Sequence, residues 1–214
     1  MSKKSHNHAL RVPNLESRKA HQILEGARSS FLDLGFEGAS VDEIARRAGV
    51  SKATLYNYFA DKRSLFAAVV DRECQQQAER IFTVDSRAIP LSEALQGIAQ
   101  DYLDFVLSPP VMGLFRISVA EATRIPRIGR AFWDSGPDVG IRRLSQFLAV
   151  RADRGELDIH DVDLAAHQFL ELCRASVFHR VLFGILDRPS DREKRRVVDG
   201  AVHTFLAAYA TRPS

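Results

Sequence analysis

This sequence is poor in the groups that carry covalent and redox chemistry. It has two cysteines, Cys74 and Cys173, far apart and outside any C-x-x-C spacing. That excludes a disulfide framework or a cysteine zinc site, and leaves two reduced thiols buried in helices as the expectation. No Gly-rich phosphate loop, nucleophile elbow or H-E-x-x-H motif occurs. No apolar run approaches the ~20 residues that span a bilayer, and the opening stretch MSKKSHNHALRVPNLESRKA lacks the apolar core of a secretory signal. A cytoplasmic protein with no membrane partner is therefore expected. There is no alternating apolar pattern of useful length and no internal repeat, which argues against strands and solenoids.

What is present is helix-forming sequence with enough apolar content, 45% of 214 residues, for a small module joined to a larger one. The net charge is only +3, but it is unevenly placed. Residues 1–63 hold eleven Lys/Arg against seven acids, and the remainder holds 19 against 20. A basic N-terminal module on a near-neutral body fits a head that meets a polyanion.

The most informative stretch is SVDEIARRAGVSKATLYNYFADK, from Ser40 to Lys62. Val41, Ile44, Ala45 and Ala48 recur at helical spacing, Gly49 stops that helix, and Val50, Leu55 and Tyr58 resume the apolar side. This is the pattern of a helix-turn-helix. Ala45 is the expected small residue at the helix crossing, and Gly49 the residue tolerant of positive φ in the turn. Ser40 with Glu43 predicts a reciprocal capping box, and Ser51 predicts the cap of the second helix. Lys52, Thr54, Tyr56 and Asn57 are not needed for packing and form a donor-rich face with one cation and no acid, suited to the major groove.

The run AGVSKATLYNYFADKRSLF resembles the end of the DNA-binding domain of the tetracycline-repressor (TetR) family of bacterial transcriptional regulators, in which a Y-x-[YH]-F box closes the recognition helix and a Lys opens the next. Asn57 stands where members often have His. The resemblance implies DNA contacts from Ser40, Ser51, Lys52, Ala53, Thr54, Tyr56, Asn57, Tyr58 and Lys62. Lys62, in the first turn of its helix, is the expected phosphate contact. It also implies that the helix opened by Lys62 links head to body.

The chain then divides, as an expectation, into a disordered basic arm (1–14), a helix-turn-helix domain (15–61), a linking helix (62–82) and a C-terminal ligand-binding and dimerisation domain (83–214). His6 and His8 in the arm lack the further ligands a metal site needs. The first helix, 15–34, should place Ala20, Ile23, Leu24, Ala27, Phe31 and Leu34 in a three-helix core with Phe36 and Phe59, ending at Gly35. Body helices are expected at 91–107, 111–124, 126–152 with a break at Gly136-Pro137, 161–184 capped by Asp161, and 190–210. The fold class is all-α with about nine helices. GLFRISVAEATRIP, FWDSGPD and RGEL resemble the AefR-like C-terminal domains of the same family.

The last two helices carry more apolar surface than one bundle face requires. The family pairs them with their copies, which makes Phe178, Val181, Leu182, Val202, Phe205, Leu206 and Tyr209 the expected homodimer contacts. DNA geometry asks for a dimer as well, since two heads ~34 Å apart reach successive major grooves. Tyr102, Phe105, Phe115, Trp133 and Phe169, with His167 and Cys173, are the candidate lining of an effector cavity, with core packing as the alternative for each. Arg174 is a further polar group without an obvious surface role.

His160, Asp163 and His167 would share a helix face, but Asp161 as a cap puts His160 outside the helix, so zinc chemistry is not expected. Neither a metal nor a cofactor is expected. The sequence reads as a nucleoid-associated, homodimeric regulator, a repressor released from a palindromic operator by a small molecule. The alternative is an activator or architectural factor controlled by a protein.

Overall fold

Six helix starts are fixed by a side chain that accepts a backbone N–H. Ser17 accepts from Ala20, Ser40 from Glu43, Ser51 from Thr54, Asp61 from Ser64, Asp161 from Leu164 and Ser190 from Glu193. The computed structural model describes residues 17–81 and 89–211; the expected arm, with His6 and His8, lies outside the described residues. Within them there are eleven helices and no strand: α1 (Arg18–Gly38), α2 (Val41–Ala48), α3 (Lys52–Tyr58), α4 (Lys62–Ile81), α5 (Leu91–Val106), α6 (Pro109–Ala122), α7 (Pro126–Ser135), α8 (Pro137–Asp153), α9 (Val162–Cys173), α10 (Phe178–Leu182) and α11 (Asp191–Tyr209). They fall into two compact units, divided between Val69 and Val70.

In the first unit, Ala20, Ile23, Leu24, Ala27 and Phe31 of α1 are buried with Ile44, Leu55, Phe59, Leu65 and Phe66. Phe31, Phe36 and Phe66 form a ring cluster with centroids 5.1–5.8 Å apart, which adds directed packing to the area buried. Leu34, expected in this core, is exposed. Gly35 (φ 71°) kinks the helix one residue later, so Phe36 takes the inward position. Gly49 adopts the left-handed conformation (φ 62°, ψ 36°) that the turn required. Ala45 is buried, and Gly26 of α1 is a second point of close approach, to Ala48 of α2. A methyl there would stand 2.7 Å from the Ala48 nitrogen and 2.9 Å from its Cα.

In the second unit, α5, α8, α9 and α11 enclose a core that includes Leu95, Leu103, Leu144, Leu148, Phe169 and Phe205. Arg151, 3% exposed, is held by Glu156 and by the Ile89 carbonyl and lies over Phe147. The loop after α8 is tied to the end of α11 by Asp158 N–H to the Tyr209 carbonyl (2.8 Å). Among the described residues no single helix is long and apolar enough to cross a membrane.

Two breaks raise the helix count to eleven, and one of them departs from the sequence reading. The 126–152 segment breaks at Gly136, as expected, into α7 and α8. The 161–184 segment, expected to be continuous, ends at Cys173 and resumes at Phe178. Ser176 takes φ 65° between them, a left-handed turn without the glycine that would have announced it.

Because the Gly26 contact is with backbone, the neighbour has no side chain to swing aside. Gly26→Ala should lower the stability of the first unit by about 1–3 kcal/mol, measured by chemical denaturation; an unchanged midpoint would show that α1 and α2 can separate freely.

Candidate DNA interface and effector cavity

The recognition candidate α3 is short and buries one side chain, Leu55. Lys52, Ala53, Tyr56 and Asn57 are exposed, and Thr54 and Tyr58 are half-buried. Ser51 closes the N-terminal end twice: its Oγ accepts from Thr54 N (3.1 Å) and lies 2.8 Å from the Thr54 hydroxyl. At the other end the Ser17 hydroxyl donates to Tyr58 Oη (3.3 Å), joining the end of α3 to the start of α1. Tyr58 therefore also holds α3 in place, and the outward group at the end of the helix is Tyr56.

The acids around this surface are arranged in pairs with its cations. Ser40 accepts from Glu43 N (3.2 Å), but the return half of the expected capping box is replaced, since the Glu43 carboxylate takes Arg46 Nε (2.8 Å) and Arg47 Nε (2.7 Å). Hydrogen bonds from Arg46 and then Arg47 hold its pKa down at about 2, from an ordinary 4.5. A lowered carboxyl pKa means that this stabilisation is complete above 4.5 and is lost as the pH falls toward 2. Arg47 also donates to Ser29 (2.9 Å) and to Asp33, pinning α2 to α1. Lys52 is paired with Asp42 (3.0 Å), both groups being exposed, an arrangement worth little in water and readily exchanged for a phosphate.

Lys62 holds a position that sequence reasoning did not give it. Its Nζ donates to the Phe36 carbonyl (2.7 Å) and the Glu37 carbonyl (3.4 Å) and sits 4.5 Å from the Phe36 ring centroid. It closes the frayed end of α1 beyond the Gly35 kink, a cation at a helix C-terminus.

In the second unit the helices leave a cavity of about 340 Å³. Tyr102, Phe105, Phe115, Trp133 and His167 line it. Phe169 and Cys173 do not. Both are fully buried in the core, Phe169 edge-to-face with Phe205 at 5.0 Å. Further lining comes from Cys74, Ser118, Phe132, Arg174 and Phe178. Of these, Phe178 was expected at a dimer contact instead; it packs on Phe115, 5.5 Å between centroids. Burial pushes the Cys74 thiol up to about 12 and the Cys173 thiol up as well, so both are poor nucleophiles. His160 lies before the Asp161 cap and outside α9, and among the described residues no group of three His, Cys, Asp or Glu stands close enough to hold a metal.

The other expected dimer contacts are divided. Val181, Val202 and Phe205 are buried within their own chain, while Leu182, Leu206 and Tyr209 are half-buried. In the same part of the chain Leu164, Phe183 (72%) and Ile185 (73%) are exposed large apolar groups.

Two family models match this chain. "Bacterial regulatory proteins, tetR family" covers residues 23–69, the helices just described as a DNA interface, and "AefR-like transcriptional repressor, C-terminal domain" covers residues 93–211. The chain belongs to the TetR family. It is a DNA-binding transcriptional regulator and not an enzyme. Among curated relatives, the HTH-type transcriptional repressor AcnR of Corynebacterium efficiens is 27% identical over 165 residues, 76% of this chain and 81% of that protein. Among solved structures, a TetR-family transcriptional regulator from Mesorhizobium loti has a TM-score of 0.84 at 30% identity, covering 92% of this chain and 100% of the other. The flavonoid-responsive regulator FrrA has a TM-score of 0.79 at 35% identity, covering 92% and 99%. TetR regulators bind operator DNA and small-molecule effectors and act as dimers.

Lys62→Ala removes a charged hydrogen bond from the end of α1 and should cost about 1–2 kcal/mol of stability in this TetR head. Thermal unfolding measures the loss directly; a variant as stable as the parent would return Lys62 to a purely DNA-facing role.

Proposed function

We propose that this TetR regulator is a homodimeric repressor that releases a palindromic operator when a small molecule fills the cavity of its second unit. The observation that carries the DNA half is α3, seven residues long, with one residue buried and Lys52, Ala53, Tyr56 and Asn57 turned to solvent. A helix that buries so little of itself is held by its caps and by Leu55, leaving its outer face for base edges and phosphates. Ser40 and Ser51 lie at helix starts and contribute their N-terminal backbone amides to the same surface.

The ligand half is supported by the aromatic cavity and by helix α4. That helix runs unbroken from Lys62, which grips the end of α1, to Cys74 on the cavity wall. An effector acts only if it binds the DNA-incompetent state more tightly. FrrA, named as flavonoid-responsive, supports an aromatic effector. Leu164, Phe183 and Ile185, with half-buried Leu182, Leu206 and Tyr209, form the proposed contact between copies, since these are apolar groups that the last part of the chain leaves wholly or partly uncovered.

Two comparisons test the assignment. Tyr56→Ala should abolish or sharply weaken operator binding while leaving the dimer folded, whereas Asp42→Asn, by freeing Lys52, should tighten it about two- to fivefold; gel-shift titration with unchanged affinity in both variants would remove α3 from the interface. Phe183→Glu should convert the dimer to monomer in sedimentation equilibrium and lose cooperative operator binding with it. A dimer that survives the change places the contact elsewhere.

A further inference from the structure

The reading of the second unit as an effector-binding body does not say what the effector is, and the inference that follows rests on that reading. Phe115 packs edge-to-face on both Phe132 and Phe178, 5.5 Å between centroids in each case, and Phe105 and Trp133 add further rings to the lining. Ring faces and edges in this arrangement favour another ring over a flexible chain. A volume of about 340 Å³ is near the lower end for ligand cavities. Val119 and Trp133 line the cavity and are also half-exposed, which marks its mouth.

The charged groups of the lining, Arg174 and Glu171, are already matched to each other. Arg174 donates through Nε to Glu171 Oε2 (2.9 Å) and through a second nitrogen to Oε1, and its guanidinium lies 4.8 Å from the Phe178 centroid. His167 Nε2 stands 3.7 Å from the Asp163 carboxylate. An entering carboxylate would have to compete with Glu171 for Arg174 and give up its own hydration in a lining that is mostly apolar, the second being the larger cost. Among the described residues, one fully buried polar side-chain atom of the lining is unmatched. Ser118, 3% exposed, has an Oγ with no hydrogen-bond partner among the described residues, and it lines the cavity. A buried hydroxyl of this kind is an acceptor and donor awaiting a ligand group.

We propose that the cavity binds a flat, uncharged aromatic molecule of two or three rings whose hydroxyl or carbonyl group hydrogen-bonds to Ser118 Oγ. The sole tryptophan of the chain, Trp133, is a local reporter of occupancy. The test titrates the full-length protein with 2-naphthol, 2-naphthoate, decanoate and naphthalene, following binding by calorimetry or equilibrium dialysis and Trp133 emission alongside. 2-Naphthol should bind about tenfold tighter than either anion, and Ser118→Ala should weaken 2-naphthol about fivefold while leaving naphthalene unchanged. Equal or tighter binding of 2-naphthoate or decanoate, binding of none of the four, or a Ser118→Ala effect that is absent or equal for 2-naphthol and naphthalene overturns the proposal. Operator release is read separately in the same samples. A protein that holds its operator but binds no aromatic overturns this inference and not the regulator reading; one that binds 2-naphthol as expected without releasing DNA overturns ligand release and leaves the assignment of the cavity intact.

Discussion

The constraint on which the DNA-binding unit depends is the contact of Gly26 with the backbone of Ala48. A helix of seven residues with one buried side chain, as α3 is, cannot orient itself. Its direction is inherited from α2 through Gly49, and α2 is located by how closely it can approach α1. With no side chain at position 26, the two backbones meet; the left-handed Gly49 then turns the chain, and Ser51 restarts it as α3. Arg47, reaching Glu43, Ser29 and Asp33, fixes the same pair of helices from the polar side. A sub-ångström change at this contact would be felt at every outward residue of α3.

Charge in this unit is organised to serve structure first. The sequence places an excess of cations in residues 1–63, yet Arg46, Arg47 and Lys52 are each paired with a carboxylate and Lys62 with two carbonyls. Part of the basic character is therefore internal, and the Lys52–Asp42 pair, exposed on both sides, is the one at α3 itself. The second unit follows the same economy. Glu171 neutralises Arg174, so that the selectivity of the cavity falls to its rings and to Ser118.

The helix-turn-helix was legible in the sequence because its determinants are local: a cap, a three-to-four periodicity, a glycine in the turn and a second cap. So were the boundary at Gly136-Pro137 and the Asp161 cap. What was not legible depends on contacts between distant segments. Gly26 looks like an ordinary helical glycine until Ala48 arrives beside it. Lys62 reads as an outward cation until the Gly35 kink brings the Phe36 carbonyl within its reach. Ser176 carries no sequence signal for its positive φ, and so the pattern across α9 and α10 reads as one helix. In the cavity, aromatic type alone separated Tyr102, Phe105, Phe115 and Trp133 no better than it separated Phe169. That residue faces Phe205 in the core, and Phe178 lines the cavity from a segment assigned by analogy to the dimer contact. Burial distinguishes these cases, and burial is set by the whole fold.

The central claim is that two copies of this chain read a defined operator through α3. Selection of bound fragments from a random DNA pool by the full-length protein, followed by titration of the winning site at two salt concentrations, tests it most directly. The account predicts a palindrome whose half-sites lie about one helical turn or a multiple apart, bound by a dimer and only partly weakened by salt. No enriched sequence, with weak and steeply salt-dependent binding to every fragment, would contradict it.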